Sequence, residues 1–259
     1  MSRVDLLIDP AMNGAVAEIS LDNAAKGNAL TGAMLDQLAA HCDTLDRSPD
    51  VRVVLITAAG AKAFCTGADI AGWGDLAPAE FARIWVRHGH RVFDRLARLS
   101  KPTIAVLHGS AFGGGLELAA ACDIRVMAPT ATLALPETGV GVVPGWSGTQ
   151  RLIRLLPEAV VKEMALFGVR LTADRAHSLG FACAVADDPF EAALALANRV
   201  LAASPRATEV AKYMIHAAVG EDQNAMIDAL GSGMIAASDD KAAGVAAFRA
   251  KHKPIFPGS

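Results

Sequence analysis

Short apolar runs alternate with longer amphipathic stretches over the first two thirds of the chain. β-branched apolar runs bounded by Gly predict buried strands at VRVVLITAAG (Val51–Gly60) and TIAVLHG (Thr103–Gly109). From Thr31 to Arg47, apolar side chains recur at helical spacing, and Thr31 is of a type that caps helices. Near-continuous apolar strands that alternate with helices indicate a parallel sheet covered by helices.

The same criteria predict the other elements of this region. They are the strands Gly14–Asp22, Ile124–Ala128 and Thr132–Leu135, and the helices Glu80–Leu99 (interrupted at Gly89), Leu116–Cys122, Thr149–Leu156, Glu158–Phe167 and Ala173–Leu179. Residues 23–30 and 61–70 are predicted as loops. From Pro189 onward the pattern is helical throughout. We therefore predict a mixed α/β core at residues 1–190 and an all-helical region at 191–259 that packs against another subunit.

Composition narrows the class of protein. The chain has 259 residues, of which 53% are hydrophobic and 20% charged, as in well-packed globular proteins. Its net charge is −3 and it has no Lys/Arg run, which argues against nucleic-acid binding. The beginning of the chain does not resemble a signal peptide, and the uncharged stretch Pro102–Leu116 is too short to span a bilayer. We expect a cytoplasmic protein with no membrane association.

No metal site is predicted. The four Cys residues form no CxxC pair, and the seven His residues form no ligand cluster. His88 and His90, spaced by two in a helical stretch, face different sides of the helix.

The candidate chemistry begins with three glycines before a carboxylate, in GSAFGGGLEL. Gly113, Gly114 and Gly115 follow a strand and precede a helix, whose N-terminal N–H groups favour anions. Glycine lets a ligand approach the backbone closely, so the stretch is suited to hold an oxyanion. Tight packing of strand on helix explains the same glycines, and the residues themselves do not decide between the two readings.

Two carboxylates lie in apolar surroundings. Glu117 follows the glycines in the first helical turn, and Glu137 follows Pro136 after an apolar strand. Since two close carboxylates do not easily both ionise, such a pair supplies one acid and one base. A helix-start Glu and a surface-turn Glu are the ordinary alternatives, and the pattern does not say which residue is the acid.

Common nucleotide and hydrolase motifs are absent. GSAFGGG has no Lys after its last glycine, and GVGVVP has Pro144 where a dinucleotide fingerprint needs Gly. Thr149 replaces the final Gly of a nucleophile elbow, so Ser147 is a poor candidate for a serine nucleophile.

Four motifs in order resemble the crotonase (enoyl-CoA hydratase/isomerase) superfamily, over nearly the whole chain. They are FCTGADI, KPTIAVLHGSAFGGGLELAAACDIRV, LPETGVGVVPGWSGTQRL and AAFRAKHKPIF. The resemblance implies an α/β spiral of ββα units with a C-terminal helical trimerisation region, in a homotrimer or homohexamer. It also implies acyl-CoA thioester substrates, with coenzyme A as part of the substrate and no separate cofactor.

Site residues follow from the resemblance position by position. The backbone N–H groups of Ala68 and Gly114 match the family's oxyanion hole, and Glu117 and Glu137 match the two glutamates of its hydratases. In the usual family description the Glu117 position is the base and the Glu137 position the acid. The positions that match coenzyme A contacts are Lys26, Ala29, Ala68, Asp69, Ile70 and Gly114, with Lys253 and Phe256 near the end of the chain.

Both glutamates together favour an enoyl-CoA hydratase. A 3-enoyl-CoA isomerase needs only Glu137, and an acyl-CoA-binding scaffold without turnover is the non-enzymatic alternative. This chain departs from the family at Ala71, where many hydratases have Lys, and at Trp146-Ser147 within PGWSGTQRL. With Trp73 and Trp85 also in segments that shape the acyl pocket, we expect a substrate other than a plain long fatty chain.

Overall fold

Two sheets built largely from parallel strands organise the chain. The computed structural model describes residues 2–9, 12, 14–60, 62–221 and 223–259, with the side chains of 223–226 excepted. Its strands are β1 (Arg3–Ile8), β2 (Val16–Asp22), β3 (Val53–Ala58), β4 (Ala63–Cys65), β5 (Thr103–Leu107), β6 (Ser110–Phe112), β7 (Ile124–Met127), β8 (Thr132–Ala134), β9 (Leu171–Thr172) and β10 (Ala184–Val185). Six strands pair in the order β1-β2-β3-β5-β7-β10 and four in the order β4-β6-β8-β9.

Helices connect and cover these sheets. They are α1 (Gly32–Asp46), α2 (Pro78–Glu80), α3 (Arg87–Ala97), α4 (Gly114–Ala121), α5 (Gly148–Leu155), α6 (Glu158–Phe167), α7 (Ala173–Ser178), α8 (Pro189–Leu201), α9 (Pro205–Ala218), α10 (Gln223–Ala236) and α11 (Asp239–Arg249). A π-helical segment, Phe81–Val86, joins α2 to α3, and short 3₁₀ turns cover Ala24–Lys26, Ile70–Gly72 and Glu137–Val140.

The connectivity repeats a ββα unit, as predicted. In each of three successive units, one strand enters the six-stranded sheet and the next enters the four-stranded sheet: β3 and β4, then β5 and β6, then β7 and β8. The pairs β4–β6 and β6–β8 are parallel. The carboxyl ends of β4, β6 and β8 therefore meet at one edge of the smaller sheet.

Burial on both faces explains the continuous apolar strands. In β3, Val54 and Ile56 belong to the larger core cluster, while Val53 and Leu55 pack in a second cluster with Ala193 of α8. Since successive strand side chains point to opposite faces, a strand covered on both sides needs apolar residues at every position.

The structure corrects several predicted elements. β1, an antiparallel neighbour of β2, was not predicted, and residues 61–70, predicted as a loop, contain β4. The helical stretch that begins at Pro78 is not interrupted at Gly89; its irregular part is the π-helical segment Phe81–Val86. Short strands in Gly-containing surroundings give little periodicity, which is why β4 was missed.

Two compact units divide the chain, Met1–Pro205 and Arg206–Ser259. Helix α8 belongs to the first unit, whereas the predicted division lies at residue 190. The role of the C-terminal helices in oligomerisation stays a prediction. Every helix in the described ranges is too short or too polar to cross a membrane.

The N-terminus of α1 gives a test of the helix assignment. The Thr31 side chain accepts a hydrogen bond from the Met34 N–H, as predicted for the capping residue. We expect Thr31→Ala to lower the free energy of unfolding by about 1 kcal/mol, measured by urea denaturation. Thr44→Ala, which removes a hydroxyl bonded to the Ala40 carbonyl within the helix, is the matched control. Equal losses in the two variants would contradict the capping role of Thr31.

Candidate active site

The predicted catalytic residues lie on segments that leave the same edge of the small sheet. Ala68 follows β4, Gly114 follows β6 and begins α4, and Glu137 follows β8. Glu117 is one turn into α4. All four line one cavity of about 260 Å³. The structure therefore brings together residues that are up to 69 positions apart in the sequence.

The backbone nitrogens of Ala68 and Gly114, the predicted oxyanion donors, lie close together at the cavity. Leu30 N–H donates to Gly67 O at 2.7 Å, and Asp69 N–H donates to Leu30 O at 2.8 Å. Because successive N–H groups of an extended chain point to opposite sides, the Ala68 N–H points away from Leu30. Its nitrogen is 3.4 Å from the point where a Cβ on Gly114 would lie. Gly114 is the first residue of its helix, so its N–H has no intrahelical acceptor.

The three glycines are needed for close approach. A Cβ on Gly113 would lie 2.9 Å from Glu137 Oε1, and one on Gly115 would lie 2.2 Å from the Cys65 carbonyl oxygen. A Cβ on Gly114 would lie 2.8 Å from Cζ3 of Trp146. Real Cβ atoms do not approach other heavy atoms so closely, so these positions accept only glycine without rearrangement. These contacts support the packing reading of the motif, and its oxyanion role stays a prediction.

Glu117 is held by a tight turn. Its side chain is buried, with 2% of the residue exposed, and Oε1 accepts hydrogen bonds from the N–H groups of Trp146 and Gly148, each at 2.8 Å. Burial raises the pKa of Glu117, while the two N–H donors and the charge of Arg151 oppose that rise. The hydrogen bonds at Oε1 favour the carboxylate form and leave Oε2 for another partner.

The residue between those two donors makes the turn possible. Ser147 adopts a left-handed conformation, with φ of 71°, so that the N–H groups on either side of it converge on one oxygen. The Ser147 hydroxyl lies 2.8 Å from Nδ1 of His90, and His90 is paired in turn with Asp94. Asp94 also pairs with Arg151 of α5. This chain of contacts ties the turn to helices α3 and α5.

Glu137 has different surroundings. Its Oε2 is buried and has no hydrogen-bond partner within the described part of the chain. Burial, with a contribution from the charge of Glu117, raises the pKa of Glu137 to about 7. The two carboxyls therefore differ in their surroundings: Glu117 is held by two N–H donors from a distant turn, whereas Oε2 of Glu137 has no partner among the described residues.

The predicted coenzyme A contacts fall into two groups. Ala68, Ile70 and Gly114 line the cavity, and Ala29 is buried one residue before Leu30, which is bridged to Ala68. Lys26 Nζ pairs with Asp69 Oδ2 at 2.8 Å. Lys253 and Phe256 belong to the second unit, where both are exposed. Their contact with coenzyme A stays a prediction.

Sequence analysis missed the residues that hold Glu117. The N–H groups of Trp146 and Gly148, and the contact between Ser147 and His90, join segments about 30 and 57 positions apart. The Gly-rich run PGWSGT indicated a turn, but no local pattern shows which carboxylate a turn will hold. Among the described residues, no three His, Cys, Asp or Glu side chains are grouped to hold a metal ion.

The raised pKa of Glu137 predicts a pH dependence of stability. The folded state binds this proton more tightly than the unfolded state, whose carboxyl titrates near the ordinary value of 4.5. Stability from this group is therefore present below about pH 4.5 and is lost as pH rises to about 7. Urea denaturation at pH 5, 6, 7 and 8 should show that Glu137→Gln reduces this loss.

Glu158→Gln is the matched control for that series. Glu158 is exposed, and its hydrogen bond and ion pair with Lys162 lower its pKa. Its contribution consequently changes only at or below the ordinary carboxyl range, and this variant should keep the wild-type loss between pH 5 and 7. A wild-type-like loss in Glu137→Gln would show that the pKa of Glu137 is not raised.

Known proteins are similar to this chain in sequence and fold. Residues 11–259 match the family model described as enoyl-CoA hydratase/isomerase. The chain is 32% identical over 248 residues to a probable mitochondrial enoyl-CoA hydratase 2 of Arabidopsis thaliana, covering 94% of this chain and 82% of that protein. It is 34% identical over 233 residues to a crotonyl-CoA hydratase of Syntrophomonas wolfei, covering 88% and 89% respectively. The crystal structure of an enoyl-CoA hydratase from Bacillus anthracis superposes with a TM-score of 0.77 at 32% identity, covering 95% of this chain and 96% of that one. The chain therefore belongs to the enoyl-CoA hydratase/isomerase family, the crotonase superfamily whose motifs its sequence carries.

Proposed function

We propose that this protein is an enoyl-CoA hydratase, which adds water across the trans-2 double bond of an acyl-CoA thioester. The observation that carries the proposal is the pairing of two unlike glutamates, Glu117 and Glu137, in the cavity that the N–H groups of Ala68 and Gly114 also line. The relative from Syntrophomonas wolfei, named as a crotonyl-CoA hydratase, supports this choice within the family.

Polarisation of the thioester is the role of the two N–H groups. With its carbonyl oxygen between Ala68 and Gly114, the thioester draws electron density from the conjugated double bond, and C3 becomes electrophilic. Negative charge develops on that oxygen as the enolate forms. One such donor typically stabilises the transition state by about 3–4 kcal/mol.

Glu117 then acts as the base. The two N–H donors on Oε1 fix the orientation of the side chain and oppose the burial that raises its pKa, and Oε2 accepts the proton from water. The water oxygen forms a bond to C3 as its proton moves to Glu117. The electron pair of the double bond moves to C2 and the thioester oxygen.

Glu137 supplies the second proton. With a pKa of about 7 it is protonated in a large fraction of molecules near neutral pH, and its buried Oε2 has no competing partner among the described residues. Transfer of this proton to C2 collapses the enolate and gives a 3-hydroxyacyl-CoA. Exchange with solvent returns both carboxyls to their starting states.

Recognition of coenzyme A follows from the same proposal. Lys26, near the cavity through its pair with Asp69, would bind a phosphate of the nucleotide, and Lys253 and Phe256 would add contacts, from a neighbouring subunit in a homotrimer or homohexamer. Coenzyme A belongs to the substrate, and we propose no separate cofactor.

The first test is hydration of crotonyl-CoA, followed by the loss of enoyl-thioester absorbance. Since general acid–base catalysis contributes about 10²–10⁴-fold, Glu117→Gln and Glu137→Gln should each lower kcat by that order. Glu158→Gln, at an exposed position, is the matched control and should keep the wild-type rate. Full hydratase activity in Glu117→Gln would contradict the mechanism.

A 3-enoyl-CoA isomerase is the second candidate, because a proton shuttle between C2 and C4 needs one carboxyl, and Oε2 of Glu137 is buried with no partner among the described residues. In that case wild type and Glu117→Gln would both convert a 3-enoyl-CoA to its 2-enoyl isomer, and neither would hydrate crotonyl-CoA. Binding of acyl-CoA without turnover in either assay would instead identify a scaffold.

A further inference from the structure

Trp146 closes one side of the cavity, in a space that two glycines leave open. A Cβ on Gly89, the third residue of α3 and well inside the helical stretch that begins at Pro78, would lie 2.3 Å from Cε2 and Nε1 of the indole. A Cβ on Gly114 would lie 2.8 Å from Cζ3 on the other ring of the same indole. The indole is therefore inserted between α3 and α4, and neither helix can carry a larger residue at the point of contact.

The indole has no room to move away from the cavity. Trp85 packs against it with ring centroids 5.5 Å apart, and Phe93 contacts it edge-on at 5.3 Å. Only 3% of Trp146 is exposed. Because protein interiors are close-packed, a ring enclosed on these sides behaves as a fixed wall.

This wall borders the reacting part of the substrate. The backbone N–H of Trp146 donates to Glu117 Oε1. The indole ring lies beside Gly114, whose backbone N–H belongs to the proposed oxyanion site. An acyl group whose carbonyl is held by Ala68 and Gly114 thus meets the indole close to the carbons that react.

We propose that Trp146 is a specificity-determining residue that restricts this enzyme to short enoyl groups, and that Gly89 leaves the space in which the indole lies. The proposal rests on the proposed function for the placement of the acyl group. It also explains a glycine in the middle of a helix, where alanine is the better helix former. Alanine at position 89 would push the indole toward the cavity.

The test compares kcat/KM for trans-2-butenoyl-, trans-2-hexenoyl- and trans-2-decenoyl-CoA. Wild type should prefer butenoyl-CoA over decenoyl-CoA by at least about tenfold, about what one or two excluded methylenes cost an acyl pocket. Trp146→Leu, which keeps the backbone N–H to Glu117, should reduce this preference at least tenfold through a gain on decenoyl-CoA. Gly89→Ala should act in the opposite direction and depress activity on hexenoyl-CoA more than on butenoyl-CoA.

The double variant separates a packing defect from a specificity change. In Gly89→Ala/Trp146→Leu the new methyl group no longer meets an indole, so the chain-length preference should return to that of Trp146→Leu alone. Gly231→Ala is the matched control, since Gly231 is also helical but a Cβ there would have no neighbour within 4 Å. It should match wild type on all three substrates.

A binding measurement keeps the proposal independent of turnover. Calorimetry with butyryl-CoA and decanoyl-CoA should show tighter binding of butyryl-CoA by wild type and loss of that difference in Trp146→Leu. If no enoyl-CoA is hydrated but this pattern is found, the proposed function fails and the specificity role of Trp146 stands. Two results would overturn the specificity role of Trp146. One is equal affinity of wild type for the two thioesters. The other is an unchanged difference in affinity in a Trp146→Leu protein that still binds coenzyme A.

Discussion

The absence of side chains at residues 113–115 is the constraint on which the site depends. Three different groups occupy the space that Cβ atoms would take there: the Glu137 carboxylate, the Trp146 indole and the backbone of β4. Through these contacts one turn fixes the Glu137 carboxyl, a wall of the cavity and the strand that leads to Ala68. A methyl group at any of the three positions would displace a different part of the site, although none of the three glycines has a side chain to contribute to the chemistry.

The ββα repeat explains why these parts meet. Each unit delivers a short strand to the small sheet, and parallel pairing places the ends of β4, β6 and β8 side by side. The segments after those ends carry the first N–H donor, the second donor with Glu117, and Glu137. A repeated topology thus collects different chemical groups at one edge, and the long connections between the units leave their spacing in the sequence free to vary.

Strong local patterns made much of the fold predictable. The apolar runs of β3 and β5 and the periodic face of α1 with its Thr31 cap were found from sequence, since burial on one or two faces dictates them. Strands β4 and β6, of three residues each, were not found, because their pairing is decided by distant partners. In the site, Glu117 and Glu137 were identified by motif. The turn that holds Glu117 was not, since the left-handed Ser147 leaves no sequence signal.

The distribution of aromatic residues has an optical consequence. The chain has three Trp residues and one Tyr, and Trp73, Trp85 and Trp146 all line the same cavity. Nearly all of the protein's intrinsic fluorescence therefore originates at the walls of the candidate site. Emission intensity and wavelength report directly on what occupies that cavity, without an added dye or an engineered probe.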